Sequence, residues 1–261
     1  MAITAAQVKE LRDITGISMM ECKEALTLTD GDIDKAIDEL RKKGLAKAAK
    51  KADRETSEGA IKILTEGDKA YIVSVSCETD FLANSDRYKV MLDATIAFLK
   101  ANGEDSIAQA QEMINKDFAL EMGENLQVKI YKIVTGTSFG AYVHSNSKLA
   151  ALVVAGVAYD EEKLKQVAMH VTASNPDFLK ASEISADVIA HEKAIQLDMM
   201  KADPKMAGKP EEVLLKIIEG KMSKFASEVS LLEQAFVMNP DIKVKDFVGE
   251  NTITSFYRFS I

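Results

Sequence analysis

The sequence predicts an α+β fold, because strand-like segments and helical segments form separate runs along the chain. A strand–turn–strand–helix pattern occurs twice, and its second copy begins about 81 residues after the first. The chain has 261 residues, of which 47% are hydrophobic and 28% charged. This length and composition are typical of a globular protein with room for two or three small domains.

Residues 1–44 predict a module of three short helices around a small core. Thr4 and Ser18, each followed three residues later by Gln or Glu, are capping-box signatures of helix starts. Gly16 suits the left-handed conformation that ends a helix, and we expect the third helix to end at Gly44. The pattern resembles the ubiquitin-associated type of bundle, which acts by presenting a surface to a partner.

Residues 45–56 are predicted to form a basic linker. From Arg41 to Arg54, seven cations stand against Asp53 alone. Two interpretations stay open, a solvated helical linker or a strip that docks on an acidic partner or on RNA phosphates. No aromatic residue lies among these lysines, so a nucleic-acid base would find no stacking platform here.

Two related α+β subdomains are predicted next, over residues 57–136 and 137–261. Each contains a β-hairpin followed by a helix, because apolar residues first alternate and then recur at helical spacing. One further strand is expected in each subdomain. The expected strands are 59–64, 70–77, 128–134, 140–143, 149–157 and 253–259.

Residues 186–228 interrupt the second subdomain and predict an inserted helical, coiled-coil-like hairpin. Its two arms are joined by a turn that contains Pro204, Gly208 and Pro210. Such an insertion normally serves contact with another molecule, although a structural appendage would have the same pattern.

Several classes of function have no support in the sequence. The net charge of −8 argues against a protein that coats nucleic acid. No glycine-rich phosphate loop, zinc-binding spacing or catalytic cluster is present, so we expect neither an enzyme nor a bound metal or cofactor. The start lacks a signal-peptide pattern and no apolar run is long enough to cross a membrane, which predicts a cytoplasmic protein without a membrane partner.

The cysteines and histidines are expected to be structural in most cases. Cys22 and Cys77 fall on predicted core faces and are expected to be small buried hydrophobes. His170 is expected at the edge of the core with a hydrogen-bond partner, and His191 in solvent. His144 precedes a hairpin turn, where contact with a partner and plain solvation both stay open.

The residues after the second expected strand form a distinctive local motif. Glu78 and Asp80 flank Thr79, and Phe81 and Leu82 follow at the strand exit. In one interpretation Asp80 caps a turn and Phe81 packs into the core. In the other, Phe81 is an exposed aromatic wedge with a carboxylate beside it, able to enter a pocket of a partner.

Further motifs accompany this one along the chain. With it, they lie in residues 11–26, 77–84, 122–125, 169–171, 228–231 and 236–238. In order and spacing these segments resemble the bacterial elongation factor Ts family, the nucleotide exchange factors for elongation factor Tu. Ser74, Ser76, Glu78 and Leu82 depart from the residues that the family commonly has, but they only flank the wedge. Some members carry a further C-terminal helical module, and no contacts of that module are expected for this sequence.

The resemblance implies that the chain exchanges GDP for GTP on elongation factor Tu, which it would bind in GDP-bound and nucleotide-free forms. Residues Thr79, Asp80, Phe81 and Leu82 would displace magnesium in the partner, and no specific nucleic acid is expected. A dimer of two such heterodimers is compatible with the family. The partner-binding residues that the resemblance implies are Arg12, Met19, Met20, Gly123, Asn125, His144, Val237 and Met238.

Overall fold

The computed structural model describes residues 3–203 and 211–261, and it confirms the α+β class, with helices and antiparallel strand pairs in separate runs. The predicted turn at Pro204, Gly208 and Pro210 lies outside the described residues. No helix in the described part of the chain is long and apolar enough to span a membrane. The helices are α1 (Ala5–Thr15), α2 (Met19–Leu28), α3 (Ile33–Lys51), α4 (Asp80–Ala83), α5 (Asp86–Asn102), α6 (Ile107–Asp117), α7 (Ala119–Met122), α8 (Glu161–Ser174), α9 (Ala186–Ala202), α10 (Glu211–Val229) and α11 (Val244–Val248). The strands are β1 (Glu58–Glu66), β2 (Lys69–Cys77), β3 (Gln127–Thr135), β4 (Ser138–Val143), β5 (Leu149–Ala155), β6 (Ala235–Phe236), β7 (Asn239–Lys243) and β8 (Ile253–Ser260).

The chain divides into two compact units. The first runs up to Thr135 and also takes in Val143–Leu149 and Phe259–Ile261. The second comprises Gly136–Tyr142 and Ala150–Arg258. The first unit contains α1 to α7 and the sheet of β1, β2 and β3, whereas α8 to α11 lie in the second.

The helices α1, α2 and α3 begin where the sequence predicts. The side chains of Thr4 and Ser18 accept hydrogen bonds from the backbone N–H groups three residues on, and Gly16 ends α1 in the left-handed conformation with φ of 72°. The three helices share a small core with Leu120 of α7. Its buried members include Val8, Leu11, Ile17, Cys22, Ala25, Leu26, Ala36 and Leu40.

The prediction that the third helix ends at Gly44 is wrong. Helix α3 continues to Lys51, and therefore covers much of the expected linker. Gly44 is buried inside the helix. A β-carbon at this position would lie only 3.1 Å from the carbonyl oxygen of Asn115 and 3.2 Å from that of Lys116. The glycine thus allows close approach of two backbones and does not terminate the helix. Ala48, in the same extension, packs into the core under the first sheet.

The first sheet is an antiparallel meander in the order β1-β2-β3. Strands β1 and β2 pair from Glu58 opposite Cys77 to Glu66 opposite Lys69, so the turn has only two residues and both strands are longer than predicted. The expected face of β2 packs against α5, while α6 contacts the neighbouring strand β3. The opposite face of the central strand β2 is buried as well. The residues of the expected face are Tyr71, Val73, Val75 and Cys77.

The second unit contains most of the sheet β4-β5-β8, with the helix α8 packed beneath β5. The two long helices α9 and α10 contact one another, and Lys221 of α10 donates to the side-chain oxygen of Gln196 of α9 at 2.8 Å. The chain then returns through a two-stranded ribbon of β6 and β7 and the short helix α11 to β8.

Candidate partner-binding site

The segment Asp80–Ala83 is a single helical turn, α4, which follows the exit of β2. Thr79 is its N-cap, since its hydroxyl oxygen accepts a hydrogen bond from the Leu82 N–H at 3.3 Å. The Asp80 carbonyl oxygen accepts one from the Asn84 side chain at 2.9 Å. The expectation that Asp80 is the cap in the core interpretation is therefore wrong, because the threonine one residue earlier makes that bond.

The turn presents Phe81 to solvent and Leu82 to the protein. The Phe81 side chain is 87% exposed, the highest value among the exposed large hydrophobic residues of the described chain. Leu82 and Ala83 are partly buried and pack against the core of the first unit. The core interpretation of Phe81 is therefore wrong: the side chain that anchors this turn is its neighbour Leu82. Asp80 is exposed beside Phe81, in the first turn of α4.

Beneath the turn, Cys77 is buried and its thiol donates to the carbonyl oxygen of Thr79 at 3.2 Å. Burial raises the pKa of the Cys77 thiol to about 11, so the thiol stays protonated and can keep donating near neutral pH. The expectation that both cysteines are buried is confirmed.

A second chain segment, Gly123 to Asn125, holds the residues just before the turn. The Glu124 carboxylate accepts three hydrogen bonds, from the Glu78 and Thr79 N–H groups at 2.9 Å each and from the Thr79 hydroxyl at 2.6 Å. In the opposite direction, the Glu78 carboxylate accepts from the Asn125 N–H at 2.7 Å and lies 3.3 Å from the Arg54 guanidinium. The Asn125 N–H, followed by Arg54, lowers the pKa of Glu78.

The prediction that Asn125 is a surface contact needs correction for its side chain, which is only 4% exposed. Its amide nitrogen donates to the carbonyl oxygens of Arg54 at 2.7 Å and Ala52 at 3.2 Å. Gly123, in contrast, is exposed, and nothing lies within 4 Å of where a β-carbon would stand. Its carbonyl oxygen accepts a hydrogen bond from the Lys51 ammonium group.

His144 lies at the turn between β4 and β5 and is half-buried. Its backbone N–H donates to the Leu149 carbonyl oxygen at 2.8 Å, and its backbone carbonyl oxygen accepts from the Ser147 N–H at 2.8 Å. These bonds shape the tight turn.

The predicted contacts of the first helices form an exposed surface on α1 and α2. Arg12, Met19 and Met20 are all exposed, and Met20 is 75% exposed. Ile14 and Leu28 add further exposed apolar area on the same two helices. Exposed methionines are flexible apolar side chains that suit a protein-docking surface.

Val237 and Met238, in the second unit, form the turn between β6 and β7 and are about half exposed. The Val237 N–H donates to Nδ1 of His170 at 3.1 Å, and Nε2 of His170 lies 2.8 Å from the Gln234 side-chain oxygen. Because Nδ1 accepts, this imidazole is neutral with its proton on Nε2, and burial lowers its pKa. The expected hydrogen-bonded histidine is confirmed, although it is fully buried and not at the core edge.

Most cations of the basic segment are already paired within the protein. Arg41 contacts Asp117 at 3.1 Å, and Lys47 contacts Glu21 at 2.5 Å. Further pairs join Lys42 to Glu39, Lys43 to Glu24, Lys51 to the Gly123 carbonyl and Arg54 to Glu78. The segment therefore supports packing of α3 and holds the turn, and its charge is largely compensated locally.

The described part of the chain offers exposed apolar surfaces on α1, α2 and α4. Within residues 3–203 and 211–261, no group of three or more His, Cys, Asp or Glu side chains could hold a metal ion. The chemistry that the exposed groups can supply is insertion of an apolar side chain and placement of a carboxylate near a partner.

A protein-family model described as Elongation factor TS matches residues 78–261, which is more than half of the chain. The match begins at the residue before Thr79 and so contains the turn α4, the Gly123–Asn125 segment and the Val237–Met238 turn. This family supplies nucleotide exchange factors for elongation factor Tu in translation elongation, which do not act as enzymes in the usual sense. The chain belongs to the elongation factor Ts family.

Proposed function

We propose that this chain accelerates the release of GDP from elongation factor Tu by pushing Phe81 and Asp80 into the region that holds the partner's magnesium ion and phosphates. The observation that carries the proposal is the 87% exposure of Phe81 on a turn fixed from behind by hydrogen bonds. An exposed aromatic ring on a mobile loop would insert with a larger loss of conformational entropy.

The mechanism follows from how such GTPases hold their nucleotide. A magnesium ion bridges the phosphates and the GTPase, so an inserted ring that shifts nearby protein groups removes ligands from the ion. The Asp80 carboxylate changes the electrostatic field that the ion and the phosphates experience. Coupling is reciprocal, so the factor weakens GDP binding by the same ratio by which GDP weakens binding of the factor. A thousandfold acceleration needs the barrier to fall by about 4 kcal/mol.

Other surfaces provide affinity in this proposal. Arg12, Met19 and Met20 dock on a helix of the GTPase domain, while Gly123 and His144 contact the partner near the wedge. Val237 and Met238 form a further contact from the second unit. Asn125 acts indirectly, because its side chain is occupied with Ala52 and Arg54. Leu82 acts by anchoring the turn.

The finer architecture belongs to the same proposal. Residues 1–44 form the core of a ubiquitin-associated-like module, 45–56 its connection, and 57–136 and 137–261 two related subdomains. The pair of α9 and α10 is an inserted coiled-coil hairpin. The chain acts in the cytoplasm on GDP-bound and nucleotide-free partner, and the family is compatible with a dimer of heterodimers. Binding to RNA through the basic segment is disfavoured, since most of its cations have protein acceptors.

The test is release of a fluorescent GDP derivative from elongation factor Tu. Catalytic amounts of the chain, in excess unlabelled GDP, are expected to accelerate the loss of fluorescence. The chain alone is expected to bind no GDP in equilibrium dialysis. No acceleration at any concentration, or tight binding of GDP by the isolated chain, would contradict the proposal.

A further inference from the structure

Glu124 is a residue that the sequence did not single out as functional, yet its carboxylate accepts hydrogen bonds from the backbone of Glu78 and Thr79 and from the Thr79 hydroxyl. Both carboxylate oxygens are used: one accepts the two consecutive N–H groups at 2.9 Å, and the other accepts the Thr79 hydroxyl at 2.6 Å. These three donors belong to the two residues directly before Asp80 and Phe81. A charged acceptor makes shorter and stronger hydrogen bonds than a neutral one.

The contact is reinforced in the reverse direction. The Glu78 side chain accepts the N–H of Asn125, the residue after Glu124. The two segments are therefore cross-linked by two carboxylates, each of which binds the backbone of the other segment. Such a reciprocal arrangement fixes both the distance between the segments and their rotation, whereas a single bond would fix only the distance.

We infer that Glu124 is a positioning residue for nucleotide exchange, which fixes the backbone from which Asp80 and Phe81 project toward the partner. The Thr79 hydroxyl links the Glu124 carboxylate to the start of α4. It donates to Glu124 and at the same time accepts the Leu82 N–H that begins α4. Loss of the Glu124 carboxylate removes the acceptor that orients this hydroxyl, so the cap and the direction of Phe81 become less defined. The kinetic part of this inference rests on the proposed function.

The experiment compares Glu124→Ala, Glu124→Gln and a control, Glu112→Ala, whose exposed side chain lies on α6 away from these bonds. Glutamine keeps an oxygen that can accept both N–H groups and an amide that can donate to the Thr79 hydroxyl. Two quantities are measured for each variant: the maximal rate of fluorescent-GDP release at saturating factor, and the factor concentration that gives half of this rate.

Glu124→Ala is expected to lower the maximal rate about tenfold, the scale of one lost hydrogen bond to a charged group. The half-saturating concentration should change much less, because the α1–α2 surface is intact. Glu124→Gln should restore the rate to near that of the wild type. Hydrogen exchange of the Glu78 and Thr79 amides should be faster in the alanine variant and near normal in the glutamine variant.

Two results would overturn the inference: equal maximal rates for Glu124→Ala and Glu112→Ala, or a glutamine variant as slow as the alanine variant. The second result would mean that exchange requires the negative charge of Glu124, and that restoring hydrogen-bonding atoms at this position is not sufficient. If the alanine variant does not fold, Glu124→Asp is used, since its shorter side chain cannot reach all three donors and should also be slow; a wild-type rate would refute positioning. A wild-type chain without nucleotide exchange activity would refute the proposed function instead, while hydrogen exchange of the Glu78 and Thr79 amides still tests whether Glu124 holds this backbone.

Discussion

Replacement of Phe81 by alanine separates the role of this residue in exchange from any role in stability. The ring is 87% exposed, so its removal takes almost no apolar area out of the folded core. Surface truncations of this kind usually change the free energy of unfolding by less than about 0.5 kcal/mol. The variant should therefore fold and unfold like the wild type.

Nucleotide exchange, in contrast to stability, should be strongly impaired in Phe81→Ala. Complete burial of a phenylalanine side chain in a partner contributes about 1.5–3 kcal/mol, and this contribution is lost in the alanine variant. If it acts in the transition state for GDP release, the maximal rate falls about 10- to 150-fold. Docking through Arg12, Met19 and Met20 should persist, because these exposed residues lie on α1 and α2.

The matched control is Phe118→Ala in the same unit. Phe118 is 6% exposed, belongs to the core, and lies under the Arg87 guanidinium, which is 4.9 Å from the ring centre. Its truncation should cost about 3–5 kcal/mol of stability. Denaturant unfolding and fluorescent-GDP release are measured on both variants. If Phe81→Ala loses stability as Phe118→Ala does, yet exchanges normally once folded, the wedge reasoning is refuted.

The remaining predictions concern docking, packing and pH. Met20→Ala should raise the dissociation constant for elongation factor Tu and leave the helical circular dichroism unchanged, because the side chain is 75% exposed; lost helicity would contradict this. Gly44→Ala should destabilise the chain, since the backbone carbonyls 3.1 and 3.2 Å from its β-carbon cannot easily move away. Gly220→Ala in α10, with open space around it, should instead stabilise the chain by about 0.5–1 kcal/mol in thermal or denaturant unfolding. A change of the same sign in both variants would argue against close approach of the backbones at α3. Burial lowers the pKa of His170 in the folded chain. As the pH falls below about 6.5, this histidine is therefore protonated more readily in the unfolded chain than in the folded one, and the free energy of unfolding should fall. His170→Gln should flatten the pH dependence of unfolding above pH 5 relative to the wild type; a curve parallel to that of the wild type would refute the assignment.

Helix starts and strands were predictable from sequence because local physics determines them. Thr4 and Ser18 cap their helices through side chains that act three residues away. The apolar residues at every second position of β2 mark the face that packs into the core, and β2 pairs with β1 in a hairpin that closes over two residues. The helix α6 was not predicted, and no side-chain cap marks its start.

The end of α3 was mispredicted because a glycine carries two meanings that sequence alone does not separate. A glycine at a helix end supplies a left-handed conformation, as Gly16 does with φ of 72°. A glycine inside a helix can instead admit a neighbouring backbone, as Gly44 does toward Asn115 and Lys116. The difference depends on what packs against the helix, and that contact joins residues far apart in the sequence.

The same reason limits prediction of the site. Motif spacing could place Phe81 beside a strand exit, but the choice between core and solvent depends on which side of a four-residue helix meets the core. Leu82 takes that side, so Phe81 faces outward. The resemblance implied Asn125 as a partner contact. The burial of its side chain was not predictable, because its bonds to Ala52 and Arg54 span more than 70 residues of sequence and leave no local signature.

One short segment links the two regions that the proposed function uses. Leu120 of α7 packs into the core of the first three helices, and the chain then passes directly into Gly123 and Glu124. Gly123 accepts the Lys51 side chain from the end of α3, while Glu124 holds the Glu78–Thr79 backbone. The helices α1 to α3 and the turn α4 are thus joined through the same few residues by core packing and charged hydrogen bonds. A perturbation of this segment should therefore act on the direction of Phe81 without any change in the exposed residues themselves.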